Sequence, residues 1–254
     1  MGTLSAISPS AGMQFTSALV RVFVGLFLLT ILSSRAIAQS QTPNTGTEVW
    51  PELDAHFQLA SNLRMVSFAG TEQAAGFAYQ QWYAAGAVGY QVKRILRPHL
   101  ENIDPDKEHY LVLAGGYEFL QSTQSAKTKN EDRMVLQALS GFRPSAALLV
   151  SDRSRVEFRW INGTYSTTYR NKLALERDFL LRRVRFTPEA GAEFFYSGAK
   201  NSWNQQWYTA GIQWPYKHLF MLDTYYLRQN CPTCSPANLN VAGVTLNFYF
   251  GNSK

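Results

Sequence analysis

Ala242-Gly243-Val244-Thr245-Leu246-Asn247-Phe248-Tyr249-Phe250 alternates apolar residues with ones that are small or carry a polar end. Successive side chains on a strand point to opposite faces, so this spacing predicts a strand with one greasy face and one polar face. The same period opens the folded region. Val49, Pro51, Leu53, Ala55, Phe57 and Leu59 share a face there, with Glu52, Asp54, His56 and Gln58 on the other. Within 183–196, Val184, Phe186, Pro188, Ala190, Ala192, Phe194 and Tyr196 stand against Arg183, Arg185, Glu189, Gly191 and Glu193.

Between these segments the pattern repeats with almost no helical spacing, punctuated by Asn, Gly, Ser and Pro clusters. It predicts strands over 48–59, 62–69, 77–94, 108–121, 131–143, 146–161, 164–176, 182–197, 203–214, 218–229 and 239–250. Asn162-Gly163 is a two-residue hairpin signal, and Trp214-Pro215-Tyr216-Lys217 reads as a second tight turn. Longer polar connections are expected at 97–107, 122–130 and 230–238. A motif of small residue, glycine, any residue, polar residue and bulky residue recurs at 115–119, 190–194, 210–214 and 242–246. Its uneven spacing excludes a solenoid. Eleven segments conflict with the even strand number of ordinary bacterial barrels. The expectation is therefore ten strands, with one run outside the wall, or twelve, with Ser151-Asp152-Arg153 as an extra turn. Asp152 and Asn171 fall on otherwise apolar faces, which reads as a local error of register.

A soluble β-sandwich or lipocalin turns its apolar face inward. Here no outer helices compensate, and the polar faces of segments six to eight are dense in charge. They carry Arg153, Arg155, Glu157, Arg159, Arg170, Lys172, Glu176, Arg183, Arg185, Glu189 and Glu193. A polar lumen inside an apolar exterior accounts for both faces at once. Trp50, Trp160, Trp203, Trp207 and Trp214 at segment ends suit membrane-interface girdles. The expected fold is all-β: an antiparallel up-and-down transmembrane β-barrel of 10–12 strands in a bacterial outer membrane. Its first strand closes on its last, because a bilayer tolerates no unpaired edge. Val244, Leu246, Phe248 and Phe250 resemble the assembly signal of such barrels, implying the barrel-assembly machinery and outer-membrane lipid as partners. The tail Gly251-Asn252-Ser253-Lys254 departs from that pattern, since the aromatic is usually the final residue. A soluble periplasmic β-barrel is the alternative architecture.

Arg21, the apolar run Val22 to Leu32 and a small-residue segment ending in Ala36-Ile37-Ala38 follow the order of a secretory signal peptide. The run is too short to span a bilayer as a helix. The expected organisation is a signal peptide at 1–38, a leader at 39–46 and the barrel at 47–254. Losing the signal removes Arg21 and Arg35 and no acid, so the formal charge falls from +6 to +4. So mild an excess, with no basic run beside a recognition motif, argues against nucleic acid. Cys231-Pro232-Thr233-Cys234 in an exported chain favours a local disulfide that staples a loop. A zinc site would need two further ligands nearby, and the sequence places none there.

Glu48-Val49-Trp50, the run Asp152-Arg153-Ser154-Arg155-Val156-Glu157-Phe158-Arg159, Glu193-Phe194-Phe195 and Tyr225-Tyr226-Leu227-Arg228-Gln229 resemble a bacterial family, DUF2490. The resemblance spans nearly the whole chain after the signal, through short motifs. It implies an outer-membrane barrel and carries no catalytic residue, cofactor or ligand.

The sharpest constellation is the alternating Arg153, Arg155, Glu157 and Arg159, with Arg170, Lys172, Arg183, Arg185, Glu189 and Glu193 expected alongside on neighbouring strands. Such a face reads first as a ladder of cross-strand ion pairs that fills and rigidifies the lumen. Its second reading is a charged constriction that selects small solutes. With Glu176, the face counts seven basic to four acidic residues, so a pore would lean weakly towards anions. Enzyme signals are poor. His56, His99, His109 and His218 lie in separate segments without metal spacing, no Gly-x-Ser-x-Gly elbow exists, and no His-x-Ser occurs. The function expected is a non-enzymatic barrel without cofactor or metal, either a narrow passive channel or a structural protein, its solute undetermined. The competing class is a membrane-embedded lipid hydrolase, which would need a histidine, a hydroxyl and an acid converging near one rim.

Overall fold

Asn162 and Gly163 take positive φ angles of 47° and 83°. That is what a two-residue hairpin demands, because only such turns match the twist of the strands they join. Strands on either side pair from Ile161↔Thr164 down to Leu148↔Arg177. This hairpin is one unit of a computed structural model describing residues 45–74, 79–92, 104–124, 127–145, 147–182, 184–217 and 219–251. The signal peptide, most of the leader, Arg183, His99 and His218 lie outside the described residues.

The strands are β1 (Thr45–Ala60), β2 (Leu63–Ala74), β3 (Tyr79–Gln91), β4 (Leu111–Gln124), β5 (Lys127–Ser145) and β6 (Leu148–Ile161). They continue with β7 (Thr164–Arg177), β8 (Phe179–Leu181), β9 (Val184–Ser197), β10 (Ser202–Tyr216), β11 (Phe220–Asn230) and β12 (Asn238–Phe250). Each wall strand pairs with its sequence neighbours in antiparallel fashion, and β7 passes directly to β9. Three-residue β8 pairs only with the start of β9, at the rim. The wall therefore has eleven strands, neither ten nor twelve, and β6 runs unbroken through Ser151-Asp152-Arg153. An odd meander leaves its first and last strands running the same way. Closure is accordingly parallel, with β1 on β12 in register from Thr45↔Asn238 to Phe57↔Phe250. An even strand number is required only where every pair in the wall is antiparallel, and the β1–β12 pair is not.

Period two sorts the side chains. On β12, Leu239, Val241, Gly243, Thr245, Asn247 and Tyr249 are buried, and the intervening Ala242, Val244, Leu246, Phe248 and Phe250 face out. Leu53, Val88, Leu113, Leu136, Leu173 and Tyr226 are exposed on other strands, whereas Glu157, only 2% exposed, is among the most enclosed side chains. Charged side chains such as Glu157 and Glu193 are thus enclosed, while many large apolar ones face out. Two inward tyrosines sit over glycines directly opposite, Tyr83 over Gly70 and Tyr225 over Gly243. A Cβ at either glycine would collide with the ring.

Three local expectations change. Asp152 and Asn171 do face outward, so no register error exists. Asn171 Nδ2 donates to Asp152 Oδ1 (2.7 Å) and Ser154 Oγ (3.3 Å), which satisfies the polar pair on the outer surface. The 122–130 connection shrinks to the two residues between Gln124 and Lys127, because its polar residues prolong the β4–β5 ladder. The turn placed at Trp214-Pro215-Tyr216-Lys217 falls later: Trp214 and Pro215 still pair with Leu222 and Met221, and Lys217 takes the positive φ of 52°.

Candidate functional site

Residues two apart on β6 project into the lumen, and their neighbours on β4, β5, β7 and β9 meet them there. Arg155 contacts Glu118 (2.6 Å) and Glu157 (2.8 Å), and Glu157 also receives Arg170 (3.0 Å). Arg170 reaches Glu193 (2.9 Å), which Arg153 shares (2.9 Å). Arg159 and Arg133 both hold Glu131, each at 2.5 Å. The Arg170 guanidinium also lies over the Phe195 ring, 4.5 Å from its centre. Of the other residues expected on this face, Arg185 leaves the group for Asp178 (3.6 Å), and Glu189 accepts from Gln213 Nε2 (2.6 Å). Lys172 lines the cavity without an ion pair or hydrogen bond among the described residues. Glu118, Glu131 and Arg133 were missed in the sequence. Glu118 occupies the polar position of the recurring glycine motif, which was the available signal.

The charged connection after β3 does something its composition did not reveal. Asp104 caps a single 3-10 turn, Pro105–Glu108, by accepting from the Asp106 backbone N–H (3.0 Å). This turn reaches across the lumen. Arg64 on β2 holds Asp104 (2.6 Å) and Asp106 (3.2 Å), and Gln91 Nε2 donates to Asp106 (2.7 Å). From the same turn, Lys107 Nζ reaches Glu176 on β7 (2.5 Å) and Gln213 on β10 (2.6 Å). Burial works to raise the Asp104 carboxyl, but the Arg64 charge overrides it and holds Asp104 below the usual carboxylate range. Burial likewise works to lower Lys107, and the Glu176 and Asp104 charges push it above the ordinary lysine value.

A cavity of about 1460 Å³ runs from the rim at Thr45, Gly46 and the 231–237 loop to Asp104, Asp106 and Lys107. In that loop the Cys231 and Cys234 sulfurs are bonded. Beside the turn, His56 meets Asn247 Oδ1 (3.1 Å) and Arg64 Nη2 (2.7 Å) and stacks on Tyr249. Neither hydrogen-bonding partner is a hydroxyl or a carboxylate.

The wall opposite the arginines carries Glu48, Glu52 and Asp54 on β1, Glu72 on β2 and Asp223 on β11, all lining the cavity. Counting charge on segments six to eight alone overlooked them. Basic excess therefore describes one side of the lumen only.

Residues 47–240 match the family described as Protein of unknown function (DUF2490). The chain belongs to that family. No curated protein matches it. Among solved structures, this DUF2490 chain is similar to LpxR from Salmonella typhimurium, with TM-score 0.46 and 8% identity over 74% of this chain and 83% of that one. It is also similar to the KdgM porin in complex with disordered oligogalacturonate, with TM-score 0.39 and 13% identity over 71% and 82%.

Proposed function

We propose that this DUF2490 chain is a non-enzymatic outer-membrane barrel whose lumen is closed at rest. The apolar outer faces and charged interior support placement in lipid, since a water-exposed barrel would carry the opposite distribution. Val244, Leu246, Phe248 and Phe250 lie on the outer face of the closing strand, where the assembly machinery would read them. The Arg/Glu face acts as a ladder that rigidifies the wall, because its arginines are held by carboxylates of neighbouring strands. One observation carries the closed state: the 104–109 turn is tied to Arg64 on one wall and to Glu176 and Gln213 on the other. His56 is occupied by Arg64 and Asn247, which favours a structural role over hydrolysis.

Planar-bilayer conductance of the refolded chain tests this reading. The wild type stays silent across a range of salts, and an Arg64→Ala, Lys107→Ala double variant conducts. Steady wild-type conductance, or a double variant as silent as the wild type, overturns the closed lumen.

A further inference from the structure

At the rim where β12 ends, the β7–β9 connection reaches past its neighbours. β6 begins at Leu148, opposite Arg177, and the last β9–β10 pair is Thr187↔Gln213. β8 and β9 nevertheless stay paired from Phe179↔Phe186 to Leu181↔Val184, so this hairpin projects as a spur. Its tip is apolar and uncovered: Leu180 is 62% exposed, Leu181 67% and Val184 57%.

Three rings form a row across the base of the spur. Phe179 stacks on Phe186 with centroids 5.5 Å apart, and Phe186 meets Trp214 of β10 at 5.8 Å. A cation stands at each end. The Arg177 guanidinium lies over the Phe179 ring, 5.1 Å from its centre, and the Lys217 ammonium lies 5.4 Å from the centre of Tyr216. Arg182 adds a third cation beside the hairpin tip, in the same left-handed turn conformation as Lys217. All three are exposed and make no ion pair among the described residues. Residues 177–186 and 214–220 contain one acid, Asp178, which is buried and turned to Arg143 (3.9 Å) and Arg185 (3.6 Å).

On the outer face of its strand, Arg177 has Leu173 and Leu175 on one side and Phe179 and Leu181 on the other, all exposed. Apolar surface therefore resumes beyond the cation instead of giving way to water there. Water would solvate the guanidinium and leave the leucines bare, whereas a purely apolar partner would strand the charge. Loss of a proton offers no relief, because arginine keeps its charge. An anion that carries its own hydrocarbon matches both parts.

We infer that the spur and the ring row bind an anionic phospholipid. Its phosphate sits on Arg177, its headgroup lies along the rings towards Lys217, and its acyl chains cover Leu173 and Leu175. The inference rests on the placement of this wall in lipid.

Trp214 gives the row its own reporter. The full chain is refolded in a zwitterionic detergent, with folding verified by the heat-dependent gel shift. It is titrated with brominated-chain phosphatidylglycerol and, separately, brominated-chain phosphatidylcholine, and quenching of tryptophan emission is read. Phosphatidylglycerol quenches at lower concentration, by about fivefold for each cation engaged. Trp214→Phe removes that difference, as does the double change Arg177→Gln, Lys217→Gln, and inorganic phosphate does not compete. If the double variant does not refold, the two single variants decide. Equal quenching by the two lipids in wild type overturns this inference alone, as does a preference that survives in Trp214→Phe or in the folded double variant. Competition by inorganic phosphate overturns the lipid as ligand. Absence of quenching by either lipid overturns the placement of the wall in lipid itself.

Discussion

The two sides of the lumen share strand geometry and distance from the exterior, yet they handle charge in opposite ways. On β4 to β9, carboxylates and guanidinium groups interlock, and Glu157 sits between Arg155 and Arg170. Across the lumen, Glu72 has no such partner among the described residues. The first arrangement is largely interlocked, although Lys172 and Glu189 make no ion pair among the described residues. The second is not interlocked in this way. Charge density alone therefore does not describe a wall; its pairing state differs from one side to the other.

Removing one carboxylate from each side exposes the difference most strongly. Glu157→Ala leaves Arg155 and Arg170 facing each other, and breaking a buried pair this way costs about 3–5 kcal/mol, less where lumen water screens it. The heat-dependent gel shift moves to distinctly lower temperature. Glu72→Ala removes a charge with no partner, so its transition stays where it is or rises. Equal destabilisation by both changes would erase the distinction between the walls.

A smaller effect is expected at the seam beside the carboxylate wall. Gly243→Ala drives a methyl into the Tyr225 ring, an overpacking that costs about 1–3 kcal/mol. The double change Gly243→Ala, Tyr225→Ala regains part of that loss in the same gel-shift measurement. A single variant as stable as wild type would show that the ring moves aside freely.

The smallest response is to pH, and it concerns the turn that bridges both walls. Asp104 is depressed, so its contribution is present above the ordinary aspartate value near about 4 and is lost only as pH falls through its lower folded value. Lys107 is raised, so its contribution is present below about 10 and is lost as pH rises past its higher folded value. Conductance recorded between those limits stays flat. A step near neutral pH would mean that another group controls the turn.

Strand alternation made the barrel legible, because outward apolar bulk and inward side chains, many of them polar or charged, follow one period along the wall strands. Eleven runs could be counted from the sequence, and only the assumption of wholly antiparallel closure misdirected the count. Asp152 and Asn171 looked misplaced because a sequence does not show that two polar groups on adjacent strands satisfy each other. The Arg153–Arg159 ladder was visible as spacing. Its partners Glu118 and Glu131 were not, since pairing across strands depends on register. Least legible was the turn around Asp104 and Lys107: a short polar run between strands gives no sign of whether it points to solvent or folds back inside.

Parallel closure has a consequence for the rest of the chain. Thr45 stands at the rim beside the 231–237 loop, while Phe250 ends beside Phe57 near the opposite rim. The start of β1 and the end of β12 therefore face different compartments if the wall spans a bilayer. An even barrel ends its last strand at the rim where its first began; here the first strand begins at one rim and the last strand ends at the other.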